Sequence, residues 1–242
     1  MPESVYVVMP AFNEGRVIGR VIHGVRETLP NAHVVVIDDG SSDNTASAAT
    51  AAGARVVSLP FNCGYGVALQ TGLTYAFRAG AEIVITMDSD GQHDPRSIGS
   101  LIKPVREGEK DLALGSRYLP QSDSYQVPAL RRIISYCLSL LLTVIAGQRL
   151  TDTTTGFQCM NRKTLGRFVT LKDFPEKTPD ADLILYAAMT GARVCEVPVI
   201  MHEDQGGESM HGTFKSMFYI PKLFTAILSV LLQYSHQKRG DA

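Results

Sequence analysis

An excess of charge of either sign is absent from this sequence: 23 basic and 24 acidic residues leave a formal net charge of -1. Without a broad positive field, nucleic-acid binding has no electrostatic support, and a small molecule or a local membrane site is the expected partner. Cysteine is scarce as well. Cys63, Cys137, Cys159 and Cys195 lie far apart with no C-x-x-C pair, so neither a zinc ribbon nor a disulfide framework is suggested, and the thiols read as reduced and cytosolic. The N-terminus has no basic stretch or cleavage site and reaches the apolar run Val5–Met9 at once, so no export is expected. No apolar run reaches the roughly 20 residues that cross a bilayer. Ile133–Ala146 is about 14 uncharged residues long, and Ser216–Ser235 is interrupted by Pro221 and Lys222. There is no G-x-G-x-x-G, since Gly64-Tyr-Gly66 lacks the third glycine, so a dinucleotide cofactor is disfavoured. A P-loop, internal repeats and low-complexity segments are likewise missing.

What the 242 residues do contain is 45% hydrophobic and 19% charged, enough to bury one substantial core. Short β-branched runs at Val5–Met9, His33–Ile37, Arg55–Leu59 and Glu82–Met87 alternate with helical patterns over Glu14–Leu29, Ser42–Ala52 and Gly66–Ala79. Pro30, Gly53 and Gly80 punctuate the helix ends. This rhythm predicts an α/β fold with a mainly parallel sheet flanked by helices. It weakens after Asp111–Gly115. The apolar segments Ile133–Ala146 and Ser216–Ser235 read either as core helices or as helices in a membrane interface, with Tyr136, Phe218, Tyr219, Phe224 and Tyr234 as anchors.

Ligands of open α/β sheets sit beyond the carboxyl ends of the strands. Three strand ends carry polar clusters there: Pro10-Ala-Phe-Asn-Glu14, Asp38-Asp-Gly-Ser-Ser-Asp43 and Asp88-Ser-Asp-Gly-Gln-His-Asp94. One such cluster is as readily turn chemistry as function, whereas three on one rim point to a site. Asp88 and Asp90, leaving a strand at alternate positions, can converge on a hard divalent cation, with Gln92 as a neutral oxygen ligand and His93 and Asp94 behind. Mg²⁺ or Mn²⁺ held there would neutralise a departing diphosphate. Asp38 and Asp39 offer acceptors to a base or ribose, although these carboxylates and Asp43 suit a helix N-cap equally well.

Together with Asn62–Leu69, Met87–Pro95, Gly115-Ser-Arg-Tyr118 and Asp152-Thr-Thr-Thr-Gly-Phe157, these blocks make the chain resemble a family 2 glycosyltransferase of the GT-A fold. They keep the family's order through about residue 200, and the sequence is most similar to the dolichyl-phosphate mannose synthase, or polyprenyl-phosphate, branch. The resemblance implies a GT-A domain over residues 1–212 on a mixed, mainly parallel sheet, with a nucleotide-binding half to about 115 and an acceptor half after it. An amphipathic C-terminal helix would cover 213–242. It implies that Pro10, Ala11, Phe12, Glu14, Asp39, Gly66, Asp88 and Ser89 bind the nucleotide, and that Asp88, Asp90 and Gln92 hold Mg²⁺ or Mn²⁺. Arg117, Arg131, Ser135 and Asp152 fall at acceptor-phosphate positions, and Gly156 and Phe157 in the acceptor-side loop. Arginine suits that task because its planar fork stays charged and donates in pairs to phosphate oxygens. Asp90, Arg117 and Asp182 are the candidate catalytic residues. Asp180 and Asp182 occupy a region where relatives keep acidic residues, and helix N-terminal electrostatics accounts for them equally.

The chain departs from the family after Met201. Where relatives carry an arginine and a G-K-S-type triplet that clamps the donor diphosphate, it reads His202-Glu-Asp-Gln-Gly-Gly-Glu-Ser-Met-His211, with Asp204 and Glu208 in place of cations. His202, His211 or Lys215 is then the clamp candidate, and Gly206-Gly207 permits a mobile lid. The activity implied is metal-dependent, inverting transfer of a sugar from a GDP- or UDP-linked donor to a polyprenyl phosphate. It is expected at the cytoplasmic membrane face, with contact peripheral or supplied by a small membrane protein. A saccharide or protein hydroxyl acceptor, or an inactive nucleotide-sugar-binding scaffold, stands as the alternative.

Overall fold

Val5–Ala11 (β1) is buried at every position, as a strand covered on both faces must be. The computed structural model describes residues 4–124, 149–176 and 179–203, together with Tyr136, Ser139, Leu140 and Thr143. Along the chain follow Ile18–Thr28 (α1), His33–Asp38 (β2), Thr45–Ala51 (α2), Arg55–Ser58 (β3), Tyr65–Arg78 (α3) and Ile83–Thr86 (β4). A 3-10 turn at Pro95–Ser97 leads into Ile98–Arg106 (α4) and Leu112–Ser116 (β5). Then come Asp123–Ser124 (β6), Gln158–Asn161 (β7), Arg162–Val169 (α5), Pro179–Met189 (α6), Val194–Pro198 (β8) and Ile200–Met201 (β9).

Seven strands form one sheet in the order β3-β2-β1-β4-β7-β5-β8, and β6 pairs with β9 in a small parallel ribbon. Period-two alternation splits the sheet's side chains between two cores. Val8, Val35, Ile37 and Val84 pack with Leu69, Leu73, Phe168 and Ile184 from α3, α5 and α6. Val7, Met9, Val36 and Ile85 pack with Ile18, Ile22, Ala49 and Leu101 from α1, α2 and α4. The predicted sheet flanked by helices is therefore observed, with the expected strands present to within two residues at each end.

The first helix starts at Ile18 rather than Glu14, because residues 13–15 are tied to the loop after β2; Asn13 takes φ 58, in the left-handed region. The second starts at Thr45 rather than Ser42. Strand β7 runs antiparallel between β4 and β5, with Cys159 opposite both Ile85 and Ala113, which gives the mixed, mainly parallel sheet that the resemblance implies. This strand brings residues 152–157 back to the carboxyl end of β4, where the Gly156 carbonyl accepts a bond from the Thr86 hydroxyl at 2.7 Å.

Candidate active site

The loops after β1 and β2 are laced together by short polar side chains. The amide of Asn13 donates to Ser41 Oγ at 2.9 Å, while Asn13 Oδ1 accepts from the Ser42 amide at 2.9 Å. Asp43 accepts from the amides of Gly15 and Thr45 at 3.0 and 2.9 Å, and the Thr45 hydroxyl accepts from the Glu14 amide at 2.8 Å. Asp39 is buried, and its two oxygens accept from the amides of Cys63 and Gly64 at 2.7 and 2.9 Å, fixing the approach to α3. Each carboxylate oxygen keeps a second acceptor site. The wall formed this way holds Pro10, Ala11, Phe12 and Glu14 beside the loop that follows β4.

That loop carries Asp88 and Asp90. Ser89 is turned inward, its hydroxyl donating to the Pro10 carbonyl at 2.8 Å, which leaves its two neighbours on the rim. Gly91, at φ 82, allows the chain to turn so that Gln92 donates to Asp90 through both its amide N–H, at 2.9 Å, and its side-chain nitrogen, at 2.8 Å. Behind them lies His93, buried and stacked on Phe157 with ring centroids 4.9 Å apart. The Asp88 amide donates to His93 Nδ1 at 3.0 Å, so the ring proton belongs on Nε2, which lies 3.5 Å from Asp88 Oδ2. Burial lowers the His93 pKa to about 4, so the ring is neutral at pH 7. On the other side stands Tyr65, the first residue of α3. Its hydroxyl donates to Asp180 Oδ1 at 3.3 Å and also faces Asp88. Burial first, and then the Asp88 charge, push the Asp180 carboxyl up to about 8.

Across the rim Arg117 forms a buried fork with Asp152, Nε and Nη2 each donating at 2.7 Å, and Nη2 also reaches Thr154 Oγ1 at 2.8 Å. Arg117 is 7% exposed and Asp152 0%, so the two charges compensate each other away from water. Glu196 of β8 supports this pair by accepting from the amides of Thr151 and Asp152, and burial raises its pKa. Gly156 closes the gap between the halves. A Cβ there would stand 3.0 Å from both Asp88 Oδ1 and the Tyr65 hydroxyl, so only glycine fits without a shift.

The model of the Glycosyl transferase family 2 matches residues 6–168, which contain the loops of Asp39, Asp88 and Asp90, Tyr65, and the Arg117–Asp152 pair. The chain belongs to that family. The undecaprenyl-phosphate mannosyltransferase of Micrococcus luteus is 30% identical to this glycosyltransferase over 212 residues, 85% of this chain and 86% of that one. The polyprenol monophosphomannose synthase of Mycolicibacterium smegmatis is 29% identical over 210 residues, 84% and 79% of the two chains. Glucosyl-3-phosphoglycerate synthase from Mycobacterium tuberculosis, solved with Mn²⁺, UDP-glucose and phosphoglyceric acid, shares the fold. Its TM-score is 0.74 at 21% identity, over 95% of this chain and 80% of that one. The fold of this family 2 glycosyltransferase is thus GT-A.

Within the glycosyltransferase, Asp88, Asp90, Gln92 and Arg117 with Asp152 do lie around one rim. Gly66 is a packing position: a Cβ there would come within 2.5 Å of the Pro175 and Glu176 carbonyls. His202 is turned onto Asp94, with Nε2 2.8 Å from Oδ2, and Asp94 also holds Arg96, which keeps its carboxyl well below the usual range. Asp182 is buried in α6, whereas Asp180 is the one facing Tyr65. Arg131, Arg132, Ser135, Asp204, Glu208, His211, Lys215 and the segments 144–148 and 213–242 lie outside the described residues. Sequence reasoning does not reach Tyr65 as a site residue, because within the Asn62–Leu69 block the resemblance gives a role to Gly66 alone.

Among the described residues, no three His, Cys, Asp or Glu side chains are grouped to hold a cation alone. Two carboxylates at an open rim nevertheless fit an ion that draws its remaining ligands from a diphosphate and water, as Mg²⁺ does. The Asp88 charge adds to burial in raising the Asp180 carboxyl, and an ion at Asp88 would relieve that second, smaller part.

Proposed function

We propose that this glycosyltransferase moves a sugar from a nucleoside-diphosphate donor to a polyprenyl phosphate, with inversion at the anomeric carbon and with Mg²⁺ or Mn²⁺ bound at Asp88 and Asp90. The observation that carries the reading is the meeting of the two halves at Gly156, which sets the D-x-D carboxylates against the loop of Arg117 and Asp152. The names of the two lipid-phosphate relatives support the acceptor class. When bound, the cation would supply charge neutralisation to the departing diphosphate.

In this reading Pro10, Ala11, Phe12 and Glu14 line the nucleotide pocket, with Asp39 at the base and Ser89 bracing the wall. His93 orients Asp88, Asp90 stays aligned through Gln92, and Arg117, fixed by Asp152, faces the acceptor phosphate, joined by Arg131 and Ser135. His202, His211 or Lys215 takes the diphosphate clamp. An oxygen of the acceptor phosphate forms the new bond to the anomeric carbon as the bond from that carbon to the donor diphosphate breaks. That oxygen is anionic near neutral pH, so positioning matters more than a general base.

Tyr136 and Leu140 lie one helical turn apart, 68% and 56% exposed, while Ser139 between them is buried and bonded to the Thr151 carbonyl. That exposed apolar pair supports peripheral contact with the cytoplasmic membrane face where a lipid phosphate lies, directly or beside a small membrane protein. The reading is tested by nucleoside diphosphate release from UDP- and GDP-sugars with Mg²⁺ or Mn²⁺, with and without a short polyprenyl phosphate. Lipid-dependent release is expected; release indifferent to lipid sinks the acceptor assignment.

A hydroxyl acceptor is the second reading, favoured by the elevated Asp180 carboxyl, which is suited to take a proton near neutral pH. It requires Asp180→Asn to abolish turnover with a saccharide acceptor while Arg117→Lys is tolerated.

A further inference from the structure

Strand β5 runs out into Arg117 and Tyr118, and polar ties to the loop before β7 hold this exit in place. Ser116 Oγ lies 2.9 Å from Thr151 Oγ1 and accepts from the Tyr118 amide at 3.3 Å, while the Ser116 carbonyl accepts from Ser122 Oγ at 2.6 Å. The Arg117 amide donates to Asp152 at 3.0 Å, beside the fork of its side chain. Arg117 in turn lies over the Tyr118 ring, its guanidinium carbon 5.6 Å from the centroid, as a cation sits on an aromatic face. Tyr118 is half-buried, yet its hydroxyl oxygen is shielded from solvent and has no hydrogen-bond partner among the described residues. A buried polar group left unpaired costs stability, and native folds hold few of them.

We infer that the Tyr118 hydroxyl is a second donor to the phosphate of the acceptor, beside Arg117. The inference rests on the lipid-phosphate reading above and adds to it a group that fixes where the phosphate sits. The anionic oxygens of a phosphate are strong acceptors, so an arginine and a phenol can meet one phosphate through different oxygens. Bonds from an arginine to such oxygens run about 2.7–2.9 Å, which lets a phosphate lying against the guanidinium reach the phenol whose ring the guanidinium covers. The two donors differ in kind. Arg117 supplies charge, and Asp152 and Thr154 occupy its fork and set its aim. Tyr118 supplies a single directed O–H that the fold has left unused. Water has already been stripped from it in folding, so that loss is not repeated when the acceptor binds, and in a dry site the bond is stronger than in water. Only the phosphate end of the acceptor gains from this bond; the prenyl chain and the nucleotide sugar do not.

Tyr118→Phe keeps the ring under Arg117 and removes the oxygen alone. Turnover by the full chain is followed with the UDP- or GDP-sugar that serves as donor held at saturation and farnesyl phosphate varied. Farnesol is titrated as an inhibitor, and Tm is measured without ligands. The expected result is a KM for farnesyl phosphate raised about tenfold, as for loss of one hydrogen bond to a charged group. KM for the nucleotide sugar and the inhibition constant of farnesol should hold, and Tm should be equal or higher, since an unpaired buried group has gone. A hydroxyl with a structural role behaves the other way, its loss lowering Tm and leaving the acceptor untouched. An unchanged KM for farnesyl phosphate, a Tm lowered by more than about 2 °C, or farnesol inhibition weakened as much as farnesyl phosphate use overturns the assignment. If the wild type ignores farnesyl phosphate but uses a soluble phosphate monoester such as glycerol phosphate, the lipid reading falls, and the Tyr118 assignment stands or falls on the KM for that acceptor. Turnover with no phosphate acceptor overturns both.

Discussion

Asp90 braces its loop through Gln92 and stands at the open rim, so its removal should act on chemistry far more than on folding. Asp90→Ala is expected to lower kcat/KM by about 10²–10³ for loss of a charged transition-state group. Its Tm should stay within about 2 °C of the wild type, as for a substitution outside the core. An unchanged turnover number would remove Asp90 from the site. Arg117 predicts the opposite balance. Arg117→Ala leaves Asp152 charged and buried without its fork, which should cost roughly 3–5 kcal/mol and show as a large fall in the urea midpoint. At this scale the carboxylates were legible because D-x-D follows an apolar strand on the same rim as two further polar clusters. Tyr65 was not, since an aromatic at a helix start is ordinary until Asp180, 115 positions away, is folded against it.

Among the elements, Gly72 marks where α3 lies closest to the sheet. A Cβ there would stand 2.3 Å from Val8 Cγ1, so Gly72→Ala is expected to destabilise the fold by about 1–3 kcal/mol, read from chemical denaturation. Asp111 ties three strands at their edge. It accepts from the Arg193 amide and guanidinium before β8 and from Asn161 at the end of β7. Those bonds lower its carboxyl from 3.8 to about 2, the Arg193 side-chain bond contributing most. A depressed carboxylate stabilises the fold at pH above its ordinary value and loses that contribution as pH falls through its folded value. The Tm advantage of the wild type over Asp111→Asn should therefore be full at pH 6 and shrink between about pH 4 and 2. A gap constant with pH would show that the ion pair contributes nothing. Strands β1 to β4 were readable from their β-branched runs. β7 was not, because four residues with polar ends, Gln158 and Asn161, have no period of their own and are a strand only between two neighbours.

For the whole molecule the question is how this glycosyltransferase would reach the acceptor proposed for it, a lipid phosphate held in a membrane. No helix among the described residues is long and apolar enough to cross one. Replacing both Tyr136 and Leu140 by Ser should reduce co-sedimentation with anionic vesicles and raise the apparent KM for polyprenyl phosphate, while KM for the nucleotide sugar stays put. Equal vesicle binding by wild type and variant would place the contact elsewhere. The sequence by itself determined the α/β class, the family and the rim on which the polar clusters meet, because strand pattern and loop chemistry are local and repeat along the chain. Only the tertiary structure decided that β7 enters the sheet antiparallel, that Gly156 joins the halves at Asp88, and that Asp180 rather than Asp182 faces Tyr65. Those arrangements rest on contacts between residues tens of positions apart, whose burial and charge are set by the packed fold and by no local pattern.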